Sequence, residues 1–145
     1  MQSPHPFGTE ITPDALMQDF SRCPDWESRY RLIIKLAKQL PALSDEQKQT
    51  QMEISGCENR VWLGYQRGEE GRLHFYADSE GRIVKGLLAI LLTFIEGRTA
   101  EEILSLDLLN GFKQLGVSQS ISHSKNMGLS AMIQRVEDIA QLNQR

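Results

Sequence analysis

Cys57 stands in the run "EISGCENRVWLGY", residues 53 to 65, in a glycine-led polar turn directly ahead of an apolar strand. The chain has only two cysteines. A buried thiol packs as a small hydrophobe and belongs inside a helix or strand. Cys57 is instead followed by Glu58, Asn59 and Arg60, which a core does not accept. Gly56 permits a tight or left-handed backbone, and its missing side chain lets another molecule approach. The chemistry open to such a thiol is nucleophilic attack, which needs an accessible and populated thiolate. Arg60 would favour the thiolate and Glu58 oppose it, so the local charges leave its acidity open.

Other chemistries find less support. A cysteine enzyme of the acyl-transfer type needs a histidine base oriented by a third group. His74, on the adjoining strand, is the one candidate base, but an alternating strand residue reads as a surface side chain. His5, His74 and His123 are dispersed, and Cys23 and Cys57 lie far apart. No short ligand spacing of the zinc or iron–sulfur kind is present, so no metal site is expected. Phosphate-binding glycine loops and dinucleotide fingerprints are also missing. An accessible thiol without a base suits thiol–sulfur exchange, where the attacking thiolate and the leaving sulfur carry the reaction. From the residues alone an incidental cysteine is an equal reading, and Cys23, before Pro24, is read that way or as structural.

Composition narrows the function classes. The 145 residues suffice for one ordinary domain, 40% hydrophobic and 24% charged. A net charge of −3 and a pI near 5.6, with Lys and Arg scattered, argue against a nucleic-acid binder. "MQSPHPFGTE" carries no basic or apolar leader, and the apolar run near 86 to 95 is too short for a bilayer. The expectation is a cytoplasmic protein with neither membrane nor nucleic-acid partners.

The elements that must position Cys57 follow from periodicity. Residues 1–11 read as a flexible arm, and 12–145 as a single domain. "TPDALMQDF" predicts a short helix capped by Thr12 with Pro13 at its first position. "PDWESRYRLIIKLAKQLP" predicts a second, with Trp26, Tyr30, Ile33, Ala37 and Leu40 on one apolar stripe. Val61, Leu63 and Tyr65 alternate as in a strand, "RGEEG" turns the chain, and "RLHFYAD" alternates again, predicting an antiparallel hairpin. A strand at "QMEI" is expected alongside, placing Cys57 between the first and second of three strands. "RIVKGLLAILLTFIEG" is apolar nearly all round and predicts the central helix. "TAEE" is a capping box of Thr99 with Glu102. "LLNGFKQLG" predicts a helix closed by Gly116, and a last helix runs from about Ser124 to Leu142. The fold class is α+β, a small three-stranded antiparallel sheet packed against several helices.

The runs "GCENRVWLGY", "FYADSEGRIVKGLLAILL", "EGRTAEEI", "FKQLG" and "SHSKNMGL", with the upstream "DWESRYRLIIKLAKQLPAL", resemble the SufE family in order and spacing over about residues 12 to 142. "GCEN", in place of a Gln-Ser pair after the cysteine, looks most like an enterobacterial paralogue within that family. The resemblance implies a SufE/IscU-like fold and a sulfur acceptor serving a pyridoxal-phosphate cysteine desulfurase of the CsdA or SufS type. Cys57 would carry the sulfur as a persulfide, from a loop sheltered at rest and extended in the complex. The sulfur would pass to a downstream acceptor or cluster scaffold, and the chain would need no cofactor of its own. Around Cys57, the residues Glu58, Asn59, Arg60, Asp78 of the "DSEG" turn and Lys125 are the expected docking residues. Lys125 stands where the family usually has arginine, and lysine lacks the planar bidentate fork.

Overall fold

The computed structural model describes residues 2–144. Two antiparallel strands, β1 (Val61–Arg67) and β2 (Leu73–Ser79), form the sheet, paired from Val61 opposite Ser79 to Arg67 opposite Leu73. Helices α1 (Pro13–Ser21) and α2 (Trp26–Gln39) precede the sheet, and α3 (Arg82–Ile95) follows it directly. Then come α4 (Ala100–Leu104), α5 (Leu108–Gln114) and the long α6 (His123–Leu142).

The helix starts follow their caps. Thr12, Asp25, Thr99, Asp107 and Ser122 each accept a backbone N–H from the first turn of the helix they open. Helix α3 is the centre of the core, with Leu87, Leu88, Ile90, Leu91 and Leu92 fully buried. It packs closely on α2 because Gly86 has no side chain. A Cβ there would fall 2.3 Å from Ile33 Cγ2 and 2.4 Å from the Ile33 carbonyl oxygen. One sheet face, carrying Val61, Leu63, Phe75 and Ala77, joins this core.

The expected third strand does not form. Residues Thr50–Met52 make a single 3₁₀ turn, and only Glu53 bridges to Trp62. The chain then has one more ladder bond, Ile54 N–H to the Val61 carbonyl at 2.9 Å, before Gly56 turns it at φ +88°. A strand needs successive residues in register, and a left-handed glycine two positions on ends that run.

The second face of the hairpin is covered rather than solvated. Leu43 and Met52, from the segment after α2, bury Trp62 and Tyr76 in a small separate cluster. Lys48 and Arg60 stack their cationic groups on the Trp62 ring, 4.6 and 4.9 Å from its centre. Trp26, placed on the α2 stripe by its spacing, is instead 57% exposed, and the buried stripe consists of Ile33, Leu36, Ala37 and Leu40.

The segment read as a flexible arm is packed onto the domain. Phe7 is fully buried in the main core, and His5 Nε2 meets the Phe75 carbonyl at 2.8 Å. This strap also corrects the reading of His74 as a surface residue, for the ring is buried beneath it. Glu96 lies 2.7 Å from His74 Nδ1, and the Gln2 carbonyl faces His74 Nε2. A carbonyl and a carboxylate only accept, so the partners of both ring nitrogens favour the imidazolium form of His74. Phe7 N–H donates to His5 Nδ1 at 3.1 Å, which leaves the His5 proton on Nε2.

Candidate functional site

Cys57 lies in the loop between the Glu53–Trp62 bridge and β1, at the end of the hairpin where Val61 faces Ser79. The loop runs back along α6. Cys57 is half-buried against Gly128, with its Sγ 3.8 Å from the Gly128 carbonyl oxygen. A Cβ on Gly128 would come 3.6 Å from that sulfur, so the helix offers the thiol a flat seat. Burial pushes the Cys57 thiol above its ordinary pKa, which favours the neutral form at rest.

The loop is tied at both roots. On the upstream side Arg135 of α6 donates to the carbonyls of Gln51 and Met52 at 3.4 Å and to that of Glu53 at 3.1 Å. On the downstream side the Arg60 carbonyl accepts from Ser79 Oγ at 2.8 Å and from Glu80 N–H at 3.2 Å. The Arg60 guanidinium grips Glu53 through Nε and Nη2, at 3.1 and 2.9 Å, closing the loop from root to root. Its hydrogen bonds hold the Glu53 carboxyl below its ordinary pKa.

The expected docking residues divide. Glu58 and Arg60 are exposed around Cys57, and Lys125 joins them through an ion pair, Nζ to Glu58 Oε1 at 3.8 Å. Asn59 packs on Gly81 at the start of α3, where a Cβ would fall 2.3 Å from Asn59 Oδ1. Asp78 is not a surface residue. It is 3% exposed, accepts from Leu43 N–H at 3.0 Å and Ser79 N–H at 2.8 Å, and faces Lys48 and Lys85 at 3.6 and 3.2 Å. It ties the covering segment and α3 to β2, and the apolar cover over Trp62 explains why it is inside.

His74 pairs with Gln66, five positions along β1 from the Val61 end. At about 3.4 Å per residue that is roughly 17 Å from the base of the Cys57 loop. Its two nitrogens are engaged by Glu96 and Gln2, so it serves no thiol. His5, His74 and Glu96 bring three possible ligand atoms within 4.8 Å of one another. A metal on His5 Nε2 would need the proton on Nδ1, where Phe7 N–H already donates, so the cluster fits protons rather than a metal. A groove of about 420 Å³ lies beside Met52, Tyr76, Arg135 and Ile139, and does not contain Cys57. Arg135, which holds the upstream root of the loop, is the residue of this site that sequence reasoning missed. As an arginine midway along an amphipathic helix it carries no local signal.

Comparison with known proteins identifies the family. Residues 14–140 match the SufE family, described as an Fe-S metabolism associated domain. The chain is 51% identical over 132 residues to the sulfur acceptor protein CsdE of Escherichia coli (strain K12), covering 91% of this chain and 90% of that one. A solution structure of a hypothetical protein from Thermus thermophilus shares the fold at a TM-score of 0.73 and 16% identity, over 92% of this chain and 96% of that one. A whole-length match with a half-identical relative leaves one assignment: the chain belongs to the SufE family and is CsdE-like within it.

Proposed function

We propose that this protein is a sulfur acceptor and carrier, which takes sulfane sulfur from the persulfide of a cysteine desulfurase onto Cys57. The observation that carries the reading is the setting of Cys57. A single thiol sits at the tip of a loop rooted at both ends, its hydrogen-bond partner a backbone carbonyl rather than an imidazole. Such a thiol has no base among its hydrogen-bond partners, and sulfur exchange does not require one of its own. The family and the CsdE relative support the same reading.

In the reaction, the Cys57 thiolate attacks the outer sulfur of the desulfurase persulfide. The new S–S bond forms on Cys57 as the bond to the desulfurase sulfur breaks, and the desulfurase cysteine leaves as a thiolate. No net oxidation occurs, and the proton of the Cys57 thiol is lost before attack. The partner is a pyridoxal-phosphate desulfurase of the CsdA or SufS type, and the cofactor is the partner's. Glu58, Asn59, Arg60 and Lys125 frame the docking surface, and docking stimulates the desulfurase. The outer sulfur then passes to a thiol acceptor or cluster scaffold, for iron–sulfur assembly or related sulfur trafficking in the reducing cytoplasm. Among the described residues no helix is long and apolar enough to cross a membrane.

Incubation with a cysteine desulfurase and free cysteine, followed by mass spectrometry of non-reduced peptides, tests the proposal. The expected result is a gain of one sulfur on the Cys57 peptide. Sulfur found only on Cys23, or on neither cysteine, would overturn it.

A further inference from the structure

The loop that carries Cys57 lies along α6 with three attachments of unequal strength. Glu58 meets Lys125, Cys57 rests on Gly128, and Glu53 with its two predecessors meets Arg135. From Lys125 to Arg135 the helix runs ten positions, about 15 Å at 1.5 Å each. The tip contacts are weak. The ion pair is 3.8 Å long, with 47% of the Glu58 side chain in solvent, and the thiol contact is also 3.8 Å. The upstream root is different. One guanidinium donates to three consecutive carbonyls, and hydrogen bonds from a charged group are stronger than neutral ones.

This inequality decides where the loop gives way. We propose that Arg135 is a positioning residue for sulfur transfer: it pins residues 51–53, so that only the tip, residues 55–59, leaves α6 when Cys57 is delivered. Gly56, at φ +88° and with nothing within 4 Å of a Cβ there, gives that tip its freedom. The downstream root is fixed independently by the bonds to the Arg60 carbonyl. Arg135 touches neither Cys57 nor the transferred sulfur. It sets the place from which the thiol departs and to which it returns. The assignment rests on Cys57 being the sulfur-carrying residue.

The test compares the wild type, Arg135→Gln and Arg135→Lys by iodoacetamide labelling of both cysteines, with amide exchange over residues 50–60. Without the clamp, Cys57 should alkylate about tenfold faster, the factor that accompanies loss of charged hydrogen bonds. Cys23, whose Sγ meets the Asp19 carbonyl at 3.6 Å on α1, is the internal reference and should not change. Exchange should quicken at 52–54, and Arg135→Lys should fall between the two. An unchanged Cys57 rate overturns the assignment. So does equal acceleration of both cysteines, which would report general loosening. Should Arg135→Gln fail to fold, the Cys57-to-Cys23 ratio in Arg135→Lys decides by the same criterion. Desulfurase loading of the same samples keeps the two proposals apart. If the wild type takes no sulfur while the labelling ratio still rises, the carrier function fails, and Arg135 is left an anchor of the loop with no part in sulfur transfer.

Discussion

The sulfur of Cys57 faces the carbonyl oxygen of Gly128 at 3.8 Å. A carbonyl oxygen accepts from S–H and repels S⁻, and burial acts in the same direction. The resting site therefore stores a protonated, weakly nucleophilic thiol. Reactivity has to come with departure from α6, where water or a partner's charges can stabilise the thiolate.

That storage has a measurable signature. The rate of Cys57 alkylation against pH should rise with a midpoint above that of the same thiol in urea-unfolded protein. Coincident midpoints in folded and unfolded protein would mean that the seat on Gly128 does not suppress the thiolate.

Replacement of the thiol isolates its role. Cys57→Ser should fold and melt like the wild type within about 0.5 kcal/mol, since a half-exposed turn tolerates a hydroxyl. It should accept no sulfur from a desulfurase. A persulfide appearing on Cys23 of this variant would show that the wrong cysteine had been assigned.

Charge reversal separates docking from latching. Arg60→Glu should raise the desulfurase concentration needed for half-maximal stimulation, more at low salt than at high. Lys125→Glu sets a carboxylate against Glu58 and should release the tip, increasing Cys57 alkylation. Adding Glu58→Lys restores the pair with its signs exchanged, and should return alkylation toward the wild-type rate. Failure of the exchanged pair to restore it would remove Lys125 as a latch and leave it a docking residue only.

Burial sets the stability map. Leu91 is fully buried on α3, and Leu91→Ala should cost about 2–5 kcal/mol in denaturant unfolding. Glu70, exposed in the hairpin turn at φ +57°, should lose no more than about 0.5 kcal/mol as Glu70→Ala. Comparable losses at the two positions would contradict the core described above.

The ion pair under the N-terminal strap predicts a pH window. Burial alone would raise the Glu96 carboxyl. Hydrogen bonds from His5, His74 and Phe75 N–H outweigh it and bring the pKa down to about 2. Burial likewise opposes charge on His74, yet Glu96 and the strap carbonyls outweigh it and raise the imidazole above its ordinary 6.5. The Glu96 contribution is thus full above its ordinary 4.5 and lost as pH falls toward 2. The His74 contribution is full below 6.5 and lost as pH rises through the raised value. Melting temperature should decline on both sides, and His74→Gln should flatten the alkaline limb. Glu96→Gln, which removes the carboxylate that His5 and His74 face, should lower the melting temperature at neutral pH. An alkaline limb that survives His74→Gln would point to another group.

Local signals and long-range ones were not equally legible. Helix starts could be read because each cap acts within one turn, as Thr12, Thr99 and its partner Glu102 do. The central helix was legible because its apolar residues leave no polar face. Cys57 stood out because its neighbours Glu58, Asn59 and Arg60 contradict a packing role. Two of the errors lie where a segment distant in sequence covers a face. His74 and Asp78 alternate like surface residues, but the strap and the Leu43–Met52 segment bury them. Trp26 shows the reverse, a periodic apolar residue with nothing placed over it. The third strand failed because the left-handed Gly56 ends the run just after the Glu53 bridge, with Met52 in the small Trp62 cluster and Ile54 in the main core. Arg135 was invisible because its acceptors are backbone carbonyls 82 to 84 positions upstream.

The strap also fixes an order of events during synthesis. Its residues leave the ribosome before the hairpin, and their partners are remote: His5 meets Phe75 across 70 positions and Gln2 meets His74 across 72. Glu96, which His5 and His74 face, is made later still. The nascent chain therefore carries Phe7 uncovered until the hairpin and α3 have emerged and paired, and the strap closes over a finished sheet. Contacts of such long sequence separation close late and slow folding. The strap is among the last parts of the domain to find its place.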